Sequence, residues 1–332
     1  MSTREEWLAW RAAREADLAQ DHGWLSLTAF AWLADRPTAV TDLPGTWWTT
    51  AAGAHVSAAE EDGLLVDDVA VAGTVTADVP EGASLLWVRH GQRVVELLRR
   101  GGRLAVRVRD PRASTRRDFT GVPTYDHDPG WVRPARFVPA SSPRVVDVRT
   151  ARADLVQQAR LVGAVDVDIA GERHRLDAVA IGDGLGLLFH DATNGRTTAR
   201  WRTVATSPPD AAGNLVVDFN RAVNLPFAFT AHGTCPAPPA NNWLELAVTA
   251  GEKRPARGSA PTPFSTRVPT RSRGLPALRP RPSSTSLDRR SGPRSWGSTG
   301  SGSGSDMPSG SSPPPRPSCS RTSRRGRLVS AS

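Results

Sequence analysis

The sequence predicts a mainly β protein whose antiparallel sheets form a sandwich or a barrel-like arrangement, preceded by an N-terminal helical segment. Three observations predict this fold class. Short runs rich in Val and Leu recur from about residue 63 and are separated by turn residues. Two hairpin signals, Gly101-Gly102 and Ala170-Gly171, contain glycines, which reach positive φ at no steric cost. The runs also recur at nearly regular spacing, which favours antiparallel sheets over an α/β fold.

The helical segment is expected to cover residues 1–40. Thr3 and Glu6 have the spacing of a capping box, in which each side chain satisfies a backbone N–H at the start of a helix. An apolar stretch over residues 23–35 is dense in bulky side chains and should be buried against a neighbour. The expected inward face of the first helix consists of Trp7, Trp10, Arg14 and Leu18.

Two β-rich parts are expected to follow. The first covers residues 41–122, and its last predicted strand alternates Leu and Val with Arg, so that one face is apolar and the other basic. A connector rich in Pro, Asp and Arg over residues 111–143 interrupts the pattern. The second part covers residues 123–253 and carries the DFNRA and AGEK motifs. The predicted strands cover residues 63–68, 70–79, 84–90, 93–100, 103–110, 144–150, 163–171, 172–180, 184–191, 199–205, 214–220 and 243–251.

Residues 254–332 are predicted to be a disordered basic tail. The segment combines Pro, Ser, Gly and Arg without a helical or strand period, so it cannot bury enough apolar surface to offset its loss of backbone entropy. It holds fifteen Arg and two acids and carries +13, against −4 for the other residues, which together give the +9 of the chain. Because this composition resembles GC-rich coding DNA translated out of frame, we hypothesise a frameshift near codon 254. Reading the gene in its other frames tests this hypothesis.

The net negative charge of residues 1–253, called the body here, bears on the partners and the location that we expect. The basic charge of the tail does not indicate a nucleic-acid partner for the body. No stretch has the about 20 apolar residues that span a bilayer, and the start lacks the basic and apolar regions of a signal peptide. Cys235 is the single cysteine before the tail, so no disulfide framework is available. We therefore expect a cytoplasmic protein that needs no cofactor, does not bind membranes and does not bind nucleic acid through its body.

The densest polar cluster follows the predicted strand that ends near residue 220, and two interpretations of it are open. In the first, Asp218, Asn220 and Asn224 cap turns, and Arg221 pairs with Asp218. In the second, these side chains line a pocket where Arg221 binds a carboxylate or phosphate and Asp218 acts as acid or base. The second interpretation makes Asp218 and Arg221 catalytic candidates, and Asn220 and Asn224 ligand-binding candidates.

A second polar cluster covers residues 107–121. It indicates either a solvated loop whose charges pair with one another or an anion site built from Arg109 and Arg117. Arg109, Asp110 and Arg117 are accordingly ligand-binding candidates. Three further groups are weaker candidates, and no metal site is predicted from them. His232 and Cys235 lack the four ligands of a structural zinc, and a buried Cys with a surface His is favoured there over a thiol nucleophile with a His base. Consecutive side chains of residues 126–128 point in opposite directions in an extended segment, which disfavours a metal. His190 with Asp191 at a strand end suits acid–base work, but the sequence supplies no partner for it.

The sequence resembles the bacterial and archaeal family known as domain of unknown function 1684, from about Glu5 to Lys253. The resemblance implies that the native protein ends soon after Lys253, and it implies no particular reaction. Where the family reads N-P-P-C-A-F, this chain has Phe227 in place of the cysteine, which argues against that cysteine as an essential nucleophile here. The segments that carry the resemblance are GWLSLTAFAWL (23–33), RVRDPRASTRRDFTG (107–121), RLDA (175–178), FHDATNG (189–195), DFNRAVN (218–224), TCPAPPANN (234–242) and AGEK (250–253).

We therefore expect a soluble β-rich protein that binds a small anionic ligand in a pocket lined by Arg, Asp and Asn. In an enzymatic version of this hypothesis the reaction is a hydrolysis. The alternative is a non-catalytic module that recognises a protein or peptide, for instance through exposed strand edges.

Overall fold

Two large antiparallel sheets and one small sheet form the core of the computed structural model, which describes residues 3–255. The predicted fold class, mainly antiparallel β with an N-terminal helix, is confirmed. Of the predicted tail, residues 256–332 lie outside the described residues, so its disorder and its frameshift origin remain predictions.

The described elements follow one another in chain order, and short 3-10 helices cover Trp24–Ser26, Glu60–Asp62, Pro129–Trp131, Phe219–Arg221 and Pro226–Ala228. The helices and strands are α1 (Arg4–Leu18), β1 (Leu27–Trp32), β2 (Thr46–Thr50), β3 (Gly53–Ala58), β4 (Leu64–Val66), β5 (Val69–Ala70), β6 (Gly73–Ala77), β7 (Ser84–His90), β8 (Arg93–Arg100), β9 (Arg103–Arg109), α2 (Ser114–Arg117), β10 (Val132–Arg149), β11 (Val156–Ile169), β12 (Glu172–Ile181), β13 (Gly184–Phe189), β14 (Arg202–Ala205), β15 (Asn214–Asp218) and β16 (Val223–Asn224).

Helix α1 begins at the capping box that the sequence predicts. The Glu6 N–H donates to Thr3 Oγ1 at 3.2 Å, and the Thr3 N–H donates to Glu6 Oε2 at 2.8 Å, so two N–H groups that a helix start leaves without partners are satisfied. Trp7 and Leu18 are the buried residues of this helix. The Trp7 indole donates to the Asn220 carbonyl oxygen at 2.9 Å. The helix therefore packs against the second β-rich part, beside the DFNRA motif.

The strands form three sheets around two main cores. The first large sheet has the order β1-β9-β8-β7-β4-β5, and β2-β3-β6 form the small sheet. These two sheets share one hydrophobic core, to which the small sheet contributes Trp47 and the large sheet Leu97. The second large sheet has the order β15-β10-β11-β12-β13-β14-β16 and buries its own core, which includes Phe189 and Phe219. Each core thus removes the apolar faces of its strands from water.

Both predicted hairpins are present. Gly101 and Gly102, with φ values of 58° and 74°, join β8 to β9. Ala170 and Gly171, with φ values of 53° and 87°, join β11 to β12. Two consecutive positive φ values give a turn whose twist matches that of antiparallel strands.

Two expectations about individual elements are wrong. Residues 132–143, where the sequence predicts a connector, form the larger part of the 18-residue strand β10, because β15 pairs with it on one side and β11 on the other. Such pairing overrides the weak strand signal of a Pro-rich segment. Residues 243–251 contain no strand, and their backbone is held instead by side chains described below.

The domain boundaries are not marked by breaks between elements. The helical segment proposed for residues 1–40 contains α1 and also β1, which pairs with β9 at the edge of the first large sheet. The boundaries at residues 40, 122 and 253 therefore remain proposals. Among the described helices, none is both long enough and apolar enough to cross a membrane.

Arg107 and Arg109 on the basic face of β9 are buried, whereas Arg103 is exposed, which corrects the expectation that the charges at residues 107–109 lie in a solvated loop. Arg107 is 1% exposed, and Glu96 on β8 is 3% exposed. Arg107 Nη2 donates to Glu96 Oε1 at 2.8 Å, and Arg109 Nη2 donates to Glu96 Oε2 at 2.6 Å. Burial alone would raise the pKa of Glu96, but the charges of Arg107 and Arg109 hold it below its usual value.

The turn between β10 and β11 connects the two large sheets. The guanidinium of Arg152 lies 4.1 Å from the centre of the Phe30 ring, within the range of a cation–π contact. The Trp32 indole donates to Asp154 Oδ2 at 2.6 Å. Edge strand β1 is therefore covered by this turn, and its aromatic side chains contact polar groups of the second sheet.

We expect Glu96→Gln to lower the free energy of unfolding by about 3–5 kcal/mol, because it leaves two buried guanidinium groups without a counter-charge. Urea denaturation followed by tryptophan fluorescence measures this change. The control Asp168→Asn removes an exposed carboxylate that lies 3.3 Å from Arg173, and it should cost less than about 1 kcal/mol. Equal costs for the two variants would contradict the buried ion-pair assignment.

The same comparison at several pH values checks the sign of the electrostatic effect. Because the folded pKa of Glu96 lies below its usual value of 4.5, the stabilisation from this carboxylate is complete above that value and is lost as the pH falls through the folded pKa. The stability difference between wild type and Glu96→Gln should be constant near neutral pH and shrink in acid. A difference that grows on acidification would show that the sign is reversed.

Candidate functional site

A cavity of about 510 Å³ lies where three segments of the second β-rich part converge. None of the seven residues that line it is acidic. Three of them are basic, and two contribute hydroxyl groups. The cavity therefore combines positive charge with hydrogen-bond donors, which suits an anionic ligand. The lining residues are Pro123, Tyr125, Arg196, Thr197, Lys253, Arg254 and Pro255.

Lys253 and Tyr125 are the single lysine and the single tyrosine of the 332-residue chain. The chain has 42 basic residues, and all except Lys253 are arginine. Its other aromatic residues are 11 Trp and 8 Phe. Lys253 Nζ lies 4.6 Å from the centre of the Tyr125 ring, within the range of a cation–π contact. Two residue types that occur once each thus occur side by side in one cavity.

The hydroxyl groups of Tyr125 and Thr197 lie 2.7 Å apart, and one donates to the other. The Thr197 carbonyl oxygen also accepts a hydrogen bond from the Arg254 N–H at 2.9 Å. Arg196 and Thr197 directly follow the FHDATNG segment, and Arg254 directly follows AGEK. The cavity therefore forms where the ends of these two segments meet the loop that carries Tyr125.

The backbone of Lys253 is held on both sides by hydrogen bonds. Its N–H donates to the Pro123 carbonyl oxygen at 2.7 Å, and its carbonyl oxygen accepts from Asn224 Nδ2 at 2.8 Å. The Tyr125 N–H donates to the Gly251 carbonyl oxygen at 3.0 Å. These bonds fix the two chain segments in register, so the Lys253 amine and the Tyr125 ring are brought together by the scaffold. Asn224, a predicted ligand-binding residue, acts in this scaffold beneath the cavity.

The AGEK motif places Lys253 through its other residues. Gly251 has a φ of 75°, and a Cβ at this position would overlap the Ala222 carbonyl oxygen, so the close approach requires glycine. Glu252 is buried and points away from the cavity entrance: its carboxylate accepts from the Asn224 N–H at 2.6 Å and from Arg14 Nε at 3.2 Å. Burial raises the pKa of Glu252 despite these partners. The motif therefore supplies two anchors, Gly251 and Glu252, immediately before the half-buried Lys253.

A buried arginine holds the loop that leads to Lys253. Arg202 on β14 is 0% exposed, and its Nη2 lies 2.9 Å from Asp191 Oδ2. The same guanidinium donates to the carbonyl oxygens of Val248 at 2.9 Å, Ala250 at 2.5 Å and Glu252 at 3.3 Å. The Leu244 N–H also donates to the His190 carbonyl oxygen at 2.9 Å, and the Ala192 N–H donates to the Leu246 carbonyl oxygen at 3.0 Å. Arg202 and these backbone contacts together hold residues 243–251 without a paired strand.

Asp218, Asn220 and Arg221 do not line the cavity, and their contacts match the turn-capping interpretation. Asp218 Oδ1 accepts from the backbone and side-chain N–H groups of Asn220, at 3.0 and 2.9 Å. Asp218 Oδ2 lies 3.4 Å from Arg221 Nε. Asn220 also exchanges two hydrogen bonds with the backbone of Asp128. The carboxylate and amide groups of this cluster thus join the 3-10 turn after β15 to the segment before β10, and their catalytic and ligand-binding roles remain predictions.

Arg109, Asp110 and Arg117 also lie outside the cavity lining. Arg109 uses its guanidinium on Glu96 and on two backbone carbonyl oxygens just before β1. Asp110 lies 3.0 Å from Arg93. Arg117 is exposed in the short helix α2. The contacts of Arg109 and Asp110 are structural, and a ligand role for the three residues stays a prediction.

The other polar groups singled out in the sequence are dispersed. The His127 ring packs against Trp7 at 5.6 Å, and Cys235 is buried in a small apolar cluster. Burial, followed by the charges of two nearby arginines, lowers the pKa of His232. Within residues 3–255, no three or more His, Cys, Asp or Glu side chains are grouped so that they could hold a metal ion.

Sequence reasoning missed Tyr125, Thr197 and Lys253 as site residues. Each of the three lies in a different segment and contributes one group, so no single stretch of sequence gathers them. The composition did contain a signal: one lysine and one tyrosine in 332 residues. Their nearness, however, depends on the pairing of backbone segments that are about 130 residues apart in the chain.

Comparisons with known proteins identify relatives of this region. The family model described as "Protein of unknown function (DUF1684)" matches residues 117–253. The chain is also similar to the solution NMR structure of an uncharacterized protein from Haloarcula marismortui, with 31% sequence identity over 42% of this chain and 78% of that chain, and a TM-score of 0.35. No curated protein matches the chain. The family match contains Tyr125, Thr197 and Lys253 and ends at Lys253, whereas Arg254 and Pro255 lie beyond it.

We expect Gly251→Ala to lower the free energy of unfolding by about 3 kcal/mol, through left-handed backbone strain together with steric overlap. The matched control is Gly171→Ala, which has a φ of 87° and no atom within 4 Å of the new Cβ, and which should cost only about 1–2 kcal/mol. Urea denaturation of both variants measures the difference. A Gly251 variant as stable as the Gly171 variant would show that the approach to Ala222 is not tight.

Proposed function

The chain belongs to the DUF1684 family of proteins of unknown function, and we propose that it binds a small anionic ligand in the cavity around Lys253 and Tyr125. The observation that carries this proposal is the meeting of the single lysine and the single tyrosine of the chain in one cavity. A chain that uses arginine at every other basic position has its single lysine at the position that faces this space.

The charge and size of the cavity support a small anion. Lys253, Arg196 and Arg254 line it without an acidic residue among its walls, so their charge is available to a ligand rather than consumed in the lining. Guanidinium groups bind carboxylates and phosphates through parallel hydrogen bonds, and the hydroxyl groups add further donors. A volume of about 510 Å³ lies within the range of small-molecule sites.

The rigidity of the site supports binding with a specific geometry. The Lys253 backbone is fixed by partners on both sides, at Pro123 and Asn224. A group that is ordered before the ligand arrives loses less conformational entropy on binding. Arg202 and Glu252 strengthen this preorganisation by fixing the loop beneath it.

The enzymatic version and the alternative remain proposals. Asp218 as acid or base and Arg221 as substrate-binding group would place a hydrolase site beside the 3-10 turn after β15, away from the residues that line the cavity. A non-catalytic recognition module is the competing class, and it requires no small ligand. The cavity favours the small-ligand class, because it gathers charges and hydroxyl groups that a peptide-binding strand edge does not need.

We expect Lys253→Gln to weaken the binding of citrate to the full chain by about tenfold, or about 1.4 kcal/mol, because the variant removes one of three positive charges around the cavity. Isothermal titration calorimetry measures the affinity. The control Arg160→Gln removes an exposed positive charge on β11 and should leave the affinity unchanged. The basic tail is present in both proteins and contributes the same background. Equal affinities for Lys253→Gln and wild type would refute the proposal.

The same titration separates the two interpretations of Asp218. As a turn cap, Asp218→Ala should lower the free energy of unfolding by about 1 kcal/mol and leave citrate affinity unchanged. Unchanged stability with lost affinity would instead assign Asp218 to the ligand site. Arg221→Ala, measured in the same two ways, shows whether its partner follows the same pattern.

A further inference from the structure

We propose that Lys253 is a nucleophilic amine that forms a Schiff base with the carbonyl group of a small 2-oxo acid. This inference rests on the anion site proposed above and names its ligand class. The carboxylate of such a ligand would bind the arginines that line the cavity, and its carbonyl carbon would lie next to the amine. The lysine, the phenol and the two arginines all line one space of about 510 Å³.

Anion binding alone does not explain a lysine at position 253. A guanidinium stays charged in proteins and matches a carboxylate with two parallel hydrogen bonds, so arginine is the better anchor. Arg196 and Arg254 already supply such groups, and arginine is the residue that this chain uses everywhere else. What lysine adds is an amine that can lose its proton and attack a carbonyl carbon.

A parallel argument applies to Tyr125. Phenylalanine would provide the same ring for the contact with the Lys253 amine, and the chain contains 8 Phe and one Tyr. What tyrosine adds is a hydroxyl group, which lies 2.7 Å from the Thr197 hydroxyl. Schiff-base formation requires a proton for the carbonyl oxygen and an acceptor for the protons of the amine, and a positioned hydroxyl group can serve as both.

The step balances with these groups alone. The neutral Lys253 amine forms a C–N bond to the carbonyl carbon, and the electron pair of the C=O bond moves to the oxygen, which takes the Tyr125 proton. The nitrogen then returns one proton to the Tyr125 oxygen. The hydroxyl group of the resulting carbinolamine takes a second proton from Tyr125 and leaves as water while the C=N bond forms. The nitrogen then gives its remaining proton to the Tyr125 oxygen, which restores the phenol. One water is released, and nothing is oxidised or reduced.

Reductive trapping tests this inference on the full chain. The protein is incubated with pyruvate and sodium cyanoborohydride, whose hydride reduces a Schiff base to a stable secondary amine, and the adduct is located by peptide mass spectrometry. Because Lys253 is the single lysine, the chain offers one side-chain amine besides its N-terminal amine. We expect one adduct at Lys253, formed about tenfold or more faster than at an ordinary exposed lysine.

The matched control moves the single lysine out of the cavity. The double variant Arg160→Lys with Lys253→Arg has one exposed lysine on β11 and keeps the charge at position 253. Its trapping rate defines the ordinary reactivity of an exposed amine. Tyr125→Phe keeps the aromatic ring and should slow trapping at Lys253 by about tenfold. Equal rates for Lys253 and the control lysine would overturn the inference.

The outcomes distinguish this inference from the anion site on which it rests. If Lys253→Arg keeps wild-type citrate affinity and Lys253 shows no preferred trapping, the anion site stands and the amine chemistry is refuted. If Lys253→Gln leaves citrate affinity unchanged, the anion site itself is refuted. Preferred trapping at Lys253 together with weakened citrate binding in Lys253→Gln supports both.

Discussion

The buried guanidinium of Arg202 holds the C-terminal loop, residues 243–254, against the second large sheet. A fully buried arginine is tolerated only when its charge is paired and its N–H groups find acceptors. Asp191 supplies the charge, and three backbone carbonyl oxygens of the loop supply the acceptors. These acceptors, together with backbone hydrogen bonds from the loop to residues 190–192 and to Ala222, fix the path of the loop. That path ends at Lys253, so the position of the lysine beside Tyr125 depends on a contact in the interior below it.

The first large sheet uses the same device for another irregular segment. Arg109 is paired with the buried Glu96 and also donates to two carbonyl oxygens in the chain between α1 and β1. In both places a strand arginine pairs its guanidinium with a buried carboxylate, Arg202 with Asp191 and Arg109 with Glu96. Other N–H groups of each guanidinium donate to backbone carbonyl oxygens of a segment without regular structure. Irregular backbone can be buried in this way because its polar groups are satisfied. The many arginines of this protein thus include some whose role is to fix the path of the backbone.

The features predicted from the sequence are those that depend on neighbouring residues. The capping box at Thr3 and the turn at Ala170 each involve residues within a few positions of one another, and the structure contains both. The C-terminal loop was mistaken for a strand because Leu244, Val248 and Ala250 are buried at even spacing, which is the pattern of an extended chain. An extended chain becomes a strand only if another strand pairs with it. Here the hydrogen bonds come from the Arg202 side chain and from isolated backbone contacts with residues 190–192.

The candidate site was less predictable for a related reason. A cluster of polar residues such as Asp218 and Arg221 suggests a binding site in a sequence. Polar groups that lie close together can also pair with one another and stabilise a turn, as the contact between Asp218 and Arg221 does. The residues that line the cavity come from three distant segments, and each segment contributes only part of the site. Only the topology of the second large sheet, together with the path of the C-terminal loop, brings them to one place.

The way in which Lys253 is held separates its position from its identity. The hydrogen bonds that fix it use only its own N–H and carbonyl oxygen, and Tyr125 is likewise fixed to the loop through its backbone N–H. Other side chains at both positions, including the arginine and phenylalanine that this chain prefers elsewhere, would also make these backbone contacts, although phenylalanine would lose the 2.7 Å contact between the Tyr125 and Thr197 hydroxyl groups. On the proposal that a small 2-oxo acid binds in the cavity, the amine and the phenol serve that ligand rather than the path of the backbone.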